Sequence, residues 1–177
     1  EPVLDVLRKL DSDGPVGQVA DAERVVRVDE ARTPIEWLLA RRVPVRELEG
    51  LPQQKGFLSA PFDTRIIINE NGLRFHVDLE NGQKTGYFLD QQDNRRAIRN
   101  IVQGADVLGA FTYTGTFELH AAYYGAKSVL GLDISQNAVD QANRNAALNQ
   151  LDKICRFETA NAFDVLKQWG KDGRQYD

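Results

Sequence analysis

One cysteine, two histidines and no methionine stand among 177 residues. A single thiol cannot close an internal disulfide. With only two imidazoles beside it, a dedicated zinc site lacks ligands. The thiol count points to a reducing cytoplasm. No stretch approaches the roughly 18 apolar residues that a membrane-spanning helix needs. No charged-then-apolar signal pattern opens the chain, so no membrane partner is expected. Charge of one sign is also scarce: 22 basic side chains face 26 acidic ones, a net −4. That excludes coating nucleic acid by bulk charge but leaves room for a local basic patch. The absent methionine, together with the start at Glu1, marks the chain as an expected fragment of a longer protein. What is present suffices for a core: 42% of residues are hydrophobic, enough for one domain, or one with an appendage.

Residues 1–62 read as an accessory region. Thr33 followed by Pro34 predicts the start of a short helix running through Leu39. Val25-Val26-Arg27-Val28 predicts a strand, and Gly50-Leu51-Pro52 is turn chemistry. A sharper signal lies at 64–79. Arg65–Glu70 and Leu73–Leu79 flank Asn71-Gly72, and Asn-Gly between alternating apolar runs predicts a hairpin because both turn positions need positive φ. Leu73, Phe75, Val77 and Leu79 then share one face. His76 points away with Arg74 and Asp78, and reads as solvated or hydrogen-bonded rather than catalytic.

Asp90 is placed to cap a helix reaching about Val102, with Gly104 as its stop and Ala97, Ile98, Ile101 and Val102 as its buried face. Arg95, Arg96 and Arg99 lie in the same stretch as Lys84; that run reads equally as a solvated helix face or as an RNA contact. From Asp106 the pattern alternates: strand 107–111, helix 116–124, strand 128–133, helix 135–148, strand 154–158, helix 162–169, and Tyr176-Asp177 opening a fourth strand. Apolar strands alternating with amphipathic helices predict an α/β fold with a doubly wound parallel sheet, preceded by the hairpin region.

Ligands of such sheets bind outside the carboxyl ends of the strands. Three points fall there. Gly115, in the turn 112–115, allows close backbone approach beside a helix N-terminus. Asp133, ending the second strand, can accept hydrogen bonds from a ribose diol, although strand-end acids also occur as simple caps. Asn161, after the third strand, can pair with a purine edge. The dinucleotide fingerprint G-x-G-x-x-G is absent from 109–117, and Gly125-Ala126-Lys127-Ser128 lacks phosphate-loop spacing. Ribose and adenine without a pyrophosphate point to S-adenosylmethionine, and a dehydrogenase is disfavoured.

Three segments also resemble a known family. They are Gly82–Arg95 (Gly-Gln-Lys-Thr-Gly-Tyr-Phe-Leu-Asp-Gln-Gln-Asp-Asn-Arg), Val107-Leu108 with Phe111-Thr112-Tyr113-Thr114-Gly115-Thr116-Phe117, and Val45–Leu51. Together they resemble the class I methyltransferases of 23S ribosomal RNA, in the RlmI-like, cytosine-C5 group. The resemblance covers about residues 43–177. It implies a Rossmann-like domain truncated after strand three or four, with partial cofactor binding over 104–177 and the hairpin plus connecting helix over 63–103. It implies that Thr114, Gly115 and Phe117 line the methionine and ribose side of S-adenosylmethionine. Asp133 would hold the ribose hydroxyls and Ile134 would pack on adenine. Asn161 would meet the adenine amino group with Ala162 and Phe163 beside it. Gln83, Lys84, Thr85 and Gln91 would lie near the amino-acid end or the RNA entrance. Gly109 stands where relatives usually carry an acid, which puts one contact to the cofactor's amino group in doubt.

Cytosine-C5 methylation needs a thiolate that attacks C6. Cys155 lies among apolar residues inside a strand and reads as core. The family's cysteine is expected beyond Asp177, so no catalytic residue is assigned. An N-terminal RNA-binding PUA domain, frequent in the family, is not visible in these residues. Ribosomal RNA is the implied partner, and the resemblance leaves a homodimer open. Two other readings stay open: methylation of another RNA atom such as guanine N7, which needs no thiolate, and a non-catalytic RNA-binding or assembly module.

Overall fold

The computed structural model describes residues 25–27, 38–39, 50, 56–57, 62–83 and 86–177. Short strands β1 (Val25–Arg27), β2 (Leu38–Leu39) and β3 (Gly56–Phe57) precede the hairpin strands β4 (Arg65–Glu70) and β5 (Leu73–Asp78). The strand expected at Val25 is present and pairs parallel with β4. The helix expected to reach Leu39 is not what forms at its end. Leu38 and Leu39 are extended and pair with Phe57 and Gly56, because cross-strand partners outweigh a local capping cue. The other residues of that expected helix lie outside the described residues.

Asn71 (φ 52°) and Gly72 (φ 90°) turn the hairpin, so Glu70 faces Leu73, Ile68 faces Phe75 and Ile66 faces Val77. That face is buried throughout, and it is apolar except for Glu70, which is only 1% exposed. Its partner is Arg95, also 1% exposed, whose Nε donates to Glu70 Oε1 and whose Nη2 donates to Glu70 Oε2 at 2.8 Å. Nη2 also donates to the Phe88 carbonyl at 2.9 Å, and the guanidinium lies 4.8 Å from the Tyr87 ring centre. His120 joins the cluster, stacked on Phe75 with its Nε2 3.7 Å from Glu70 Oε1. Burial chiefly lowers its pKa, so the neutral ring donates from Nδ1 to the Thr116 carbonyl at 2.7 Å and can accept from Asn71 at 3.4 Å.

This corrects two expectations. Arg95 does not belong to a surface basic run, because it neutralises a buried carboxylate. The segment is also not one Asp90-capped helix. It is a 3₁₀ turn (Leu89–Gln91), a short helix α1 (Gln92–Ala97) and a second 3₁₀ turn (Ile98–Asn100). Asp90 lies inside the first turn, and α1 is preceded by Gln91 without a side-chain cap bond. Of the expected apolar face, Val102 is buried, Ile98 half-buried and Ala97 exposed, while Ile101 is 77% exposed.

The remainder follows the alternation closely. Strand β6 (Asp106–Ala110) leads to α2 (Thr116–Tyr123), β7 (Ser128–Asp133), α3 (Gln136–Leu148), β8 (Cys155–Thr159) and α4 (Ala162–Lys171). The parallel sheet has the order β6-β7-β8. Val107, Val129, Cys155 and Phe157 pack with Leu119, Ala121, Val139, Ala142 and Ala146 of α2 and α3. Leu108, Leu130 and Leu132 point to the opposite face, against Ala162, Val165 and Trp169 of α4. Both faces are therefore covered, as the apolar strand pattern requires. Tyr176-Asp177, expected to open a strand, are not in one. The Asp177 N–H nevertheless donates to the carbonyl of Asp106, the first residue of β6, at 3.1 Å.

Candidate cofactor site

At the carboxyl ends of β6 and β7 the chain makes two tight turns. Backbone strain marks the first: Phe111 (φ 61°), Tyr113 (φ 50°) and Gly115 (φ 78°) all adopt left-handed conformations, uncommon for residues with a side chain. Gly115 is required on a second count, since a Cβ there would lie 2.7 Å from the Phe157 ring and 3.0 Å from Ala142. The second turn is organised by Asp133. Its Oδ2 accepts the Tyr113 N–H at 2.8 Å and its Oδ1 accepts the Ser135 N–H at 2.9 Å. Ser135 then caps α3 by accepting the Ala138 N–H at 3.3 Å. One carboxylate thus fixes both turns, and each oxygen keeps a lone pair.

These turns form one wall of a cavity of about 600 Å³, the hairpin end forms another, and residues of α3 such as Asn137 and Asp140 complete the lining. Tyr113, Thr114, Asp133 and Ser135 line the first wall; His76, Asp78, Gly82 and Gln83 belong to the second. The Tyr113 hydroxyl accepts the Gln83 N–H at 2.7 Å and ties the walls together. The volume suits a ligand of nucleoside size. A smaller cavity of about 370 Å³ adjoins it, lined by Arg65 and Arg144 among others.

Of the residues singled out from the sequence, Gln83, Thr114 and Asp133 meet at this cavity. Lys84 and Thr85 lie outside the described residues. Gly115 is buried beneath the turn, and Phe117 lies 5.8 Å from the Arg95 guanidinium, away from the lining. Ala162 packs in the core under β7. Gln91 exchanges hydrogen bonds with Asp90 and Asn94, apart from the cavity. Asn161 caps its own helix by accepting the Phe163 N–H at 3.1 Å. Ile134 (74% exposed) and Phe163 (73%) stand uncovered beyond the strand ends, with Phe163 5.3 Å from the likewise exposed Phe111 ring.

Sequence reasoning missed Glu118. Its carboxyl occupies the space that Gly109 leaves open on β6. A Cβ on Gly109 would lie 1.7 Å from Glu118 Oε1. Glu118 is 4% exposed, and its Oε2 has no hydrogen-bond partner among the described residues. Burial, aided by the nearby Asp133 charge and partly offset by the Thr112 side chain, raises its pKa to about 7. The signal available in the sequence was the pair itself: a small residue on the strand and an acid on the helix face that follows. Cys155 sits beside it, and burial first, then the Glu118 charge, push the thiol up to about 12. That thiol is not a nucleophile near neutral pH.

Comparison with known proteins places the chain in a family. The model of the S-adenosylmethionine-dependent methyltransferases matches residues 53–176, and the chain belongs to that family. It is 36% identical over 161 residues to ribosomal RNA large subunit methyltransferase I of Alteromonas mediterranea, covering 84% of this chain and 41% of that protein. It is 42% identical over 137 residues to the protein of the same name from Shewanella amazonensis, covering 76% and 35%. It is 28% identical to a solved protein from Streptococcus mutans described as a SAM-dependent methyltransferase, with a TM-score of 0.63 over 70% of this chain and 34% of that one. The chain therefore spans roughly two fifths of the length of the curated relatives it matches. Among the described residues, no helix is long and apolar enough to cross a membrane.

Proposed function

We propose that this chain is the cofactor-holding part of an enzyme that transfers a methyl group from S-adenosylmethionine to C5 of a cytosine in large-subunit ribosomal RNA, acting in the cytoplasm. The observation that carries the reading is the cavity at the carboxyl ends of the parallel strands with Asp133 in its wall. The names of the curated relatives support the substrate.

The residues fit an adenosine bearing a methionine chain. Asp133, already holding two N–H groups, offers its remaining lone pairs to the ribose hydroxyls. Ile134, Phe163 and Phe111 supply exposed apolar surface for the adenine, and Asn161 Oδ1 keeps a lone pair for the adenine amino group. Thr114 and Gln83 stand toward the amino-acid end; Lys84, Thr85 and Gln91 are proposed for that end or for the RNA entrance. Gly115, Phe117 and Ala162 act beneath these contacts by holding the backbone that presents them. Residues 104–177 would form the cofactor unit, residues 63–103 its second wall, and residues 1–62 an accessory region. The cofactor supplies an electrophilic methyl group. The protein's part is chiefly to hold that carbon in line with the base, a positioning effect. The attacking thiolate that C5 chemistry requires is not Cys155.

Mass mapping of methylated nucleotides in 23S ribosomal RNA from a strain lacking the gene tests this. Loss of one 5-methylcytidine, restored by the full-length gene, is expected. An unchanged methylation map, or loss of a mark on another atom, contradicts it.

A further inference from the structure

Strand β5 is the edge of the hairpin sheet, and an edge strand presents unpaired backbone groups. Here a stripe of side chains from α3 and its C-terminal cap occupies them. Asn149 accepts the Arg74 N–H at 2.8 Å and returns a hydrogen bond from Nδ2 to the Arg74 carbonyl at 2.6 Å. Its carboxamide thereby imitates a neighbouring peptide group. One turn earlier, Asn145 Oδ1 accepts the His76 N–H at 2.9 Å. One turn before that, Gln141 Nε2 lies 3.5 Å from the His76 carbonyl and 3.4 Å from Asn145 Oδ1. The spacing 141, 145, 149 puts all three on one helix face.

Asn145 differs from Asn149 in where its second polar group goes. Its Nδ2 donates to the Thr114 carbonyl at 3.1 Å. Asn145 is 0% exposed, and both ends of its carboxamide are used. His76 and Thr114 both line the cofactor cavity, His76 from the hairpin and Thr114 from the turn after β6. We infer that Asn145 is a positioning residue for that cavity: its side chain sets the separation of the two walls by joining the His76 amide to the Thr114 carbonyl. The inference rests on the reading of the cavity as the S-adenosylmethionine site.

The geometry separates this role from simple docking of the hairpin. In Asn145→Asp, titrated at a pH where the buried carboxyl is ionised, the carboxylate still accepts from His76 but turns a lone pair toward the Thr114 carbonyl, so the link to the turn is broken. In Asn149→Ala, the hairpin loses two bonds to α3 and the turn loses none. Calorimetric titration of the full-length protein with S-adenosylmethionine is expected to show affinity reduced about tenfold to a hundredfold in Asn145→Asp, and changed less than about twofold in Asn149→Ala. Equal losses in both variants, or wild-type affinity in Asn145→Asp, would overturn the positioning role. Wild-type protein provides a check that needs no folded variant. Cofactor addition should slow hydrogen exchange at the His76 amide, and unchanged exchange counts against the inference. If the wild-type protein binds no S-adenosylmethionine, the reading of the cavity itself fails.

Discussion

Glu118 shows how a single side chain can be invisible in sequence yet central in the fold. On a helix that follows a strand, an acid reads as solvent-facing. Here it enters the space that Gly109 leaves on the strand, and neither residue makes sense without the other. Its raised pKa carries a testable sign. The unfolded carboxyl titrates near 4.5 and the folded one near 7, so between these values the native state binds more protons than the unfolded state. Glu118 therefore costs stability increasingly as pH rises through about 7. Glu118→Gln is expected to stabilise the protein at pH 8 by about 1–3 kcal/mol, with the gain gone by pH 5. Thermal melts at the two pH values measure it. Gly109→Ala should destabilise by about 1–3 kcal/mol, and much less in a Glu118→Ala background, where the clash is removed. A double-mutant cycle reads that coupling.

At the scale of elements, legibility followed the range of the interactions. The hairpin was readable because Asn71-Gly72 and the alternation around it are local. The strands and helices from Asp106 onward were readable because apolar runs and a Ser135 cap are local too, with boundaries shifted by only a residue or two. The segment after Gly86 was misread for a long-range reason. Its fold is decided by Arg95 reaching Glu70, 25 residues back, and a cation at that place looks like surface until its partner is located. Leu38-Leu39 was misread for the same reason, because its strand partners are Phe57 and Gly56. Arg95→Ala leaves the Glu70 carboxylate buried and unpaired, and is expected to cost about 3–5 kcal/mol. Urea denaturation would show the loss. The exposed neighbour Arg96 replaced by Ala should change stability by less than about 0.5 kcal/mol.

Across the whole molecule, the candidate site is an agreement between two parts of the chain. The parallel sheet supplies Asp133 and the strained turn after β6. The hairpin region supplies His76, Asp78 and Gln83, and the Tyr113 hydroxyl and Asn145 hold the parts together. The acid at the end of the second strand was legible in advance because its place in a βαβ unit fixes its position. Of the hairpin region's contribution, Gln83 was indicated by the family resemblance, but His76 and Asp78 were not, since nothing in local patterning says which helix an edge strand meets. The cofactor reading makes Asp133 the residue whose loss should matter most, through both the ribose contacts and the two turns it organises. The most direct measurement is calorimetric titration of the full-length protein and its Asp133→Ala variant with S-adenosylmethionine. Binding by the wild type and affinity lowered by roughly 30-fold or more in the variant is the expected result. Equal affinity in the two proteins, or no binding by the wild type, would contradict the account.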